Sequence, residues 1–120
     1  MNGQPFNLDL DEYLDGDETC LVGREKGEAI LARLQAAGID WAAMEADGPI
    51  IVTIPTRIVT MNFSFFEPMW GKRVKTLGPH GFLVVYKFVA SHFAKGKIFD
   101  HISGMSFRGI IQGYNDKDHT

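Results

Sequence analysis

The chain has a single cysteine, Cys20, which excludes an internal disulfide and a cysteine-rich zinc site. It has no apolar run near the roughly 18 residues that a membrane span needs. It has no positively charged start leading into an apolar stretch, the mark of a secretory signal. A soluble cytoplasmic protein is the expectation. Net charge is −3, so the basic excess of a general nucleic-acid binder is missing too. There is no glycine-rich phosphate loop: Gly78-Pro79-His80-Gly81 follows an expected helix, the wrong end for cradling phosphate. No internal repeat or low-complexity segment is present. Residues 1–20 lack Lys and Arg, and residues 70–97 lack Asp and Glu.

What is there suffices for one domain of 120 residues with a single modest core. The chain is organised around residues 50–86. Ile50-Ile51-Val52-Thr53-Ile54 is an apolar, β-branched run that reads as a central strand buried on both faces. A polar turn over Pro55–Asn62 follows. Phe63, Phe66, Trp70, Val74 and Leu77 then recur at helical spacing, with Lys72, Arg73, Lys75 and Thr76 on the other side. Gly78-Pro79 ends that helix, and Phe82-Leu83-Val84-Val85-Tyr86 reads as a second buried strand. This is the grammar of a βαβ unit. Its helix has two candidate starts. Ser64 with Glu67 has capping-box form, and Glu67 ahead of Pro68 places proline at the first helical position. Phe66, Trp70, Val74 and Leu77 are expected to pack under the sheet with Ile51, Val84 and Tyr86.

Upstream, Phe6, Leu8 and Leu10 alternate with polar residues, the pattern of a half-buried edge strand. Asp15-Gly16-Asp17 is a turn. A helix is expected over 23–37, with Val22, Ile30, Leu31, Leu34 and Ala37 as its apolar stripe and Gly38 as its left-handed cap. Gly27 inside it points to close approach of another backbone. Residues 39–46 read either as a short helix capped by Asp40 or as an irregular connection. The expected architecture is α/β: a small mixed sheet of about four strands (6–10, 49–54, 82–88 and 106–111). Helices over 23–37, 63–77 and 89–103 lie mainly on one face. Residues 1–5 and 114–120 are expected to be flexible ends.

No residue set amounts to a catalytic signature. His92, His101 and the adjacent Asp100 are the candidates for a small enzyme or ligand pocket, but their spacing is not that of ligands one turn apart. No metal or other cofactor is expected. The acidic set Asp9, Asp11, Glu12, Asp15, Asp17 and Glu18 lacks the glycine and glutamate placement of a calcium loop. These acids and the basic set Lys72, Arg73, Lys75, Lys87, Lys95 and Lys97 either pair across the fold or serve a partner. The strand-to-helix turn carries Thr53, Thr56, Thr60, Asn62 and Ser64 where backbone N–H groups open onto a helix N-terminus. Such a place caps a helix and also favours an anion or a phosphorylated hydroxyl.

Two motifs carry a family resemblance. The run Leu21-Val22-Gly23-Arg24-Glu25-Lys26-Gly27-Glu28 resembles the Arg-Glu helix start of STAS-like domains, relatives of the anti-sigma-factor antagonists. The run Ile58-Val59-Thr60-Met61-Asn62-Phe63-Ser64-Phe65-Phe66 resembles their second signature, a strand-to-helix turn ending in Ser-Phe. The order of elements over residues 6–90 agrees. Thr53-Ile54 stands where family members commonly have Asp-Phe, and no Asp precedes the serine. The resemblance implies a non-enzymatic regulatory module that binds a partner ATPase or kinase through the turn and helix at 56–70. Thr60, Asn62 and Ser64 would be the contact and phospho-acceptor positions, with Arg57 and Glu67 on the same surface. Neither nucleic acid nor membrane is an expected partner.

Overall fold

Among the described residues the paired strands are joined through intervening helices and loops and run parallel. The structure is a computed structural model that describes residues 5–104. Within it, β1 (Phe6–Asp9), β3 (Ile50–Thr53) and β5 (Tyr86–Val89) form one parallel sheet in the order β1-β3-β5. Registry runs from Phe6↔Ile50 to Asp9↔Thr53 on one side of β3, and from Ile50↔Tyr86 to Thr53↔Val89 on the other. A second parallel pair joins β2 (Cys20–Leu21) to β4 (Thr60–Met61). The expected single mixed sheet is therefore two small sheets, and every pairing among the described residues is parallel. The two-residue strands β2 and β4 lie below the length at which a hydrophobic alternation can be read.

Helix α1 (Arg24–Ala36) ends as its sequence suggests, with Gly38 at φ 89°. Its buried stripe is narrower than expected: Ile30 and Leu34 are buried, whereas Val22 and Ala37 are exposed. The ambiguous segment is a helix, α2 (Trp41–Asp47), whose cap Asp40 accepts from the Ala42 N–H at 3.1 Å. Helix α3 (Phe63–Val85) is two segments joined at Gly78, where φ 78° and ψ 160° interrupt the helical path. The helix begins at Phe63, as the expected span 63–77 has it, and neither Ser64 nor Glu67 is its cap. Asn62 is the N-cap, and the Asn62 carbonyl accepts from both Phe65 and Phe66, a tightened first turn.

The strand expected over 82–88 begins only at Tyr86. Pro79 follows Gly78 as the opening of a new helical segment, where a missing N–H is harmless. Residues 79–85 are helical, which sets Phe82 one turn from Tyr86 and stacks their rings at 4.3 Å. Val84, expected in the core, is 57% exposed. The last described element, α4, covers residues 92–104 rather than starting at 89, because β5 occupies Tyr86–Val89. Ser91 caps it: its hydroxyl accepts from the Ala94 N–H at 3.3 Å and donates to the Ile58 carbonyl at 2.8 Å. The expected strand over 106–111 lies outside the described residues.

The core is aromatic and centres on α3. Trp70 is fully buried against Phe66 (5.3 Å between ring centroids), Phe88 (5.2 Å) and Trp41 (6.4 Å). On the central strand Ile50 and Val52 are buried, and Ile51 and Thr53 half-buried. Helix α1 crosses α3 at close range at Gly27. A Cβ there would stand 2.6 Å from the Phe65 carbonyl oxygen and 2.7 Å from Pro68 Cγ.

Two glycine substitutions test this crossing. Gly96 lies within α4, and the place a methyl group would take there is open, so Gly96→Ala should gain about 1 kcal/mol. Gly27→Ala adds the same methyl against a backbone carbonyl and should instead lose about 1–3 kcal/mol. Urea unfolding reads both, and equal stabilisation by the two would contradict the close crossing.

Candidate functional site

Strands β2 and β4 lie side by side, and each runs straight into a helix. The starts of α1 and α3 are therefore neighbours at the same end of the small sheet. Gly23 makes the first turn possible: at φ 97° it occupies a conformation that L side chains rarely adopt. Asn62 joins the two starts. Its Oδ1 accepts from the Phe65 N–H at 3.0 Å as the cap of α3, and from the Gly23 N–H at 3.2 Å at the head of α1. The Asn62 N–H donates to the Leu21 carbonyl at 3.0 Å, continuing the β2–β4 ladder.

Ser64 is exposed at the second position of α3, and Thr60 is half-buried on β4 opposite Cys20. Glu67, one turn beyond Ser64, forms an ion pair with Arg24 of α1 at 2.8 Å, and Arg24 also reaches Glu28 at 3.4 Å. Three of the expected contact positions, Asn62, Ser64 and Glu67, thus gather at the joint between the helices. Arg57 lies elsewhere. Its guanidinium donates to the carbonyls of Glu18 (2.9 Å) and Asp15 (2.7 Å) and pairs with Asp11 at 2.8 Å. It clasps the chain's own acidic segment. Lys26 pairs with Glu18, and Arg33 lies 5.0 Å over the Tyr13 ring. The acidic set is held by these cations of α1 and the β3–β4 loop, not by the basic residues of 70–97.

Two helix N-termini meet at the joint and contribute positive potential there, while Arg24 is engaged by the carboxylates of Glu28 and Glu67. Among the described residues, no carboxylate or imidazole hydrogen-bonds to Ser64, Thr60 or Cys20.

The histidine set does not converge. His92 and His101 are separated by about 13 Å along α4 at 1.5 Å rise per residue. His92 and Asp100 are exposed. His101 Nε2 donates to the Met61 carbonyl at 2.6 Å, and its ring packs on Phe66 at 5.7 Å. A carbonyl only accepts, so the proton sits on Nε2. His101 thereby ties α4 to β4, one residue before Asn62. Among the described residues there is no group of three His, Cys, Asp or Glu side chains able to hold a metal.

A polar triad has no counterpart in the sequence reading. Arg73 of α3 makes two bonds to the Glu45 carboxylate of α2, at 2.6 and 2.8 Å, and the Tyr86 hydroxyl donates to the same carboxylate at 2.6 Å. Burial pushes the Glu45 carboxyl up, but the hydrogen bonds from Arg73 and Tyr86 outweigh it and leave its pKa below the ordinary 4.5. Burial and the bond to Glu45 push the Tyr86 phenol far above its ordinary 10. The triad fastens α2 to α3 and β5. Its members are too far apart in sequence for any local spacing to reveal them. The pairing of Arg24 with Glu67 is equally invisible to local spacing. One signal does exist there: no Ser, Thr, Asp or Asn stands before Arg24, which marks a helix start that needs capping from elsewhere.

No protein-family profile, curated protein or solved structure matches this chain. No helix among the described residues is long and apolar enough to cross a membrane.

Two measurements probe these contacts. Asn62→Ala leaves the Gly23 N–H without its acceptor and the Phe65 N–H with only the residue-62 backbone carbonyl, and should cost about 1–2 kcal/mol in urea unfolding. Asn62→Asp, which keeps the acceptor, should retain stability. For the triad, a carboxyl whose folded pKa is depressed contributes stability above its unfolded pKa and loses it as pH falls through the folded value. The stability gap between wild type and Glu45→Gln should therefore be full above pH 4.5 and narrow in more acid solution. A constant gap down to about pH 3 would show that this carboxylate is not linked to folding.

Proposed function

We propose that this domain is a regulatory protein-interaction module of the STAS-like kind, related to the anti-sigma-factor antagonists. It engages an ATPase or kinase through the turn and helix of residues 56–70. The observation that carries the reading is the position of Ser64. It is exposed on the first turn of α3, on the same face as Glu67, which in turn holds Arg24 of the neighbouring helix. A phosphate on Ser64 would gain from the α3 N-terminus and would compete with Glu67 for Arg24. The surface that a partner reads would then change without any change in the core. Val22, 44% exposed, lies between β2 and α1 at this end of the small sheet and supplies apolar contact there. The two sequence motifs that resemble the family, 21–28 and 58–66, are the two that meet at this joint.

The test begins with a partner recovered by pull-down and titrated calorimetrically. Ser64→Asp should keep its melting temperature close to wild type and weaken the complex by about tenfold or more, roughly 1.4 kcal/mol. Ser64→Ala should bind near normally. Thr60→Asp is the parallel variant at the second hydroxyl. Equal affinities for all three, with normal folding, would reduce the turn to a helix cap.

A further inference from the structure

Six basic residues occupy 70–97, and among the described residues only Arg73 has a carboxylate partner. Two of the others, Lys87 and Lys95, line a groove between β5 and α4 of about 350 Å³. Its walls are Leu83, Phe88, Ile98 and Phe99, with the ring of Tyr86, whose hydroxyl is taken up by Glu45. No acidic side chain lines it. Lys87 Nζ donates to the Leu83 carbonyl at 3.2 Å, which anchors the ammonium at the Leu83 end of the groove with two N–H donors left. Phe99 is 45% exposed, so an occupant would remove aromatic surface from water.

Two other grooves among the described residues differ. One, beside α2, carries Asp40. The other, between α1 and α3, carries Glu28 and Glu67. Their arginines, Arg73 and Arg24, already have carboxylate partners. The α1–α3 groove also holds Lys72 and Lys75, which have no carboxylate partner, but of the three only the β5–α4 groove combines an apolar floor and such cations with a lining free of acidic side chains. Its volume lies at the lower end of small-molecule sites, roughly 300–1,000 Å³.

We propose that this groove binds a small free amphiphile with an anionic head, a carboxylate on a medium-length acyl chain. The chain lies against Leu83, Phe88, Ile98 and Phe99, and the carboxylate meets Lys87 and Lys95. This site is separate from the Ser64 joint and does not rest on the regulatory reading.

The test titrates the full chain with decanoate and with decanol, both below their aggregation limits, followed by calorimetry and backbone amide shifts. Decanoate should bind saturably, with shifts centred on residues 83–99, and about tenfold more tightly than decanol. The double variant Lys87→Gln/Lys95→Gln changes two exposed side chains and should fold normally. It should bind the two probes alike. Phe99→Ser should weaken both. Ser64→Asp should bind decanoate as wild type does, which separates this site from the proposed partner surface. The proposal is overturned by equal affinities in the wild type, by no saturable binding, by a preference that survives the double variant, or by shifts elsewhere. Binding to anionic phospholipid vesicles without binding of monomeric decanoate would also overturn it, in favour of a membrane-surface role.

Discussion

The fold depends on how closely α1 can approach α3. At Gly27 the absence of a side chain lets α1 lie against the Phe65 carbonyl and the Pro68 ring. That contact fixes the distance between the two helix starts. Asn62 can then serve both, since one oxygen reaches the N–H groups of Phe65 and Gly23. The same approach brings Arg24 within 2.8 Å of Glu67. A wider crossing would leave α1 without its borrowed cap and the small sheet without its closing contact. The arrangement around Ser64 therefore follows from a glycine in a different element.

Charge is distributed on the same principle of local commitment. The acidic segment 11–18 is clasped by Arg57, Lys26 and Arg33, which anchor it along α1 and the β3–β4 loop. Arg73 is committed to Glu45, which also accepts from Tyr86, a contact with little exposure in which both carboxylate oxygens find partners. The lysines of α3, β5 and α4 are left facing solvent or the β5–α4 groove. The chain's overall acidity thus coexists with a basic face.

Much of the fold is legible in the chain's periodicity. The edge strand at Phe6, the central strand at Ile50, the helix from Phe63 to Leu77 with its break at Gly78, and the Gly38 cap all follow from spacing and from glycine and proline. The departures have physical causes. Phe82–Val85 is apolar and rich in valine, and propensity favours a strand, but Pro79 opens a new helix and the Phe82–Tyr86 stack holds it. β2 and β4 are too short to show a period, so the parallel pair that sets the joint looks like a turn in the sequence. Within the joint, the polar crowding at Thr60, Asn62 and Ser64 is visible because it interrupts two apolar segments. The uses of Arg57 and Arg24 are not, because an ion pair leaves no pattern in the sequence flanking either partner.

The parallel ladders have a consequence for how the chain is made. Each pairing joins residues roughly forty positions apart, as in Phe6↔Ile50, Cys20↔Thr60 and Ile50↔Tyr86, and such separations slow folding because loop closure precedes the contacts that reward it. During synthesis β1 emerges first and has nothing to pair with until β3 clears the ribosome. β3 in turn keeps one open edge until β5 arrives. The nascent chain therefore carries unpaired strand edges until Tyr86–Val89 has been made. The polar residues that alternate along β1, and the acids directly after it, are then best placed to keep that first edge from pairing with another chain.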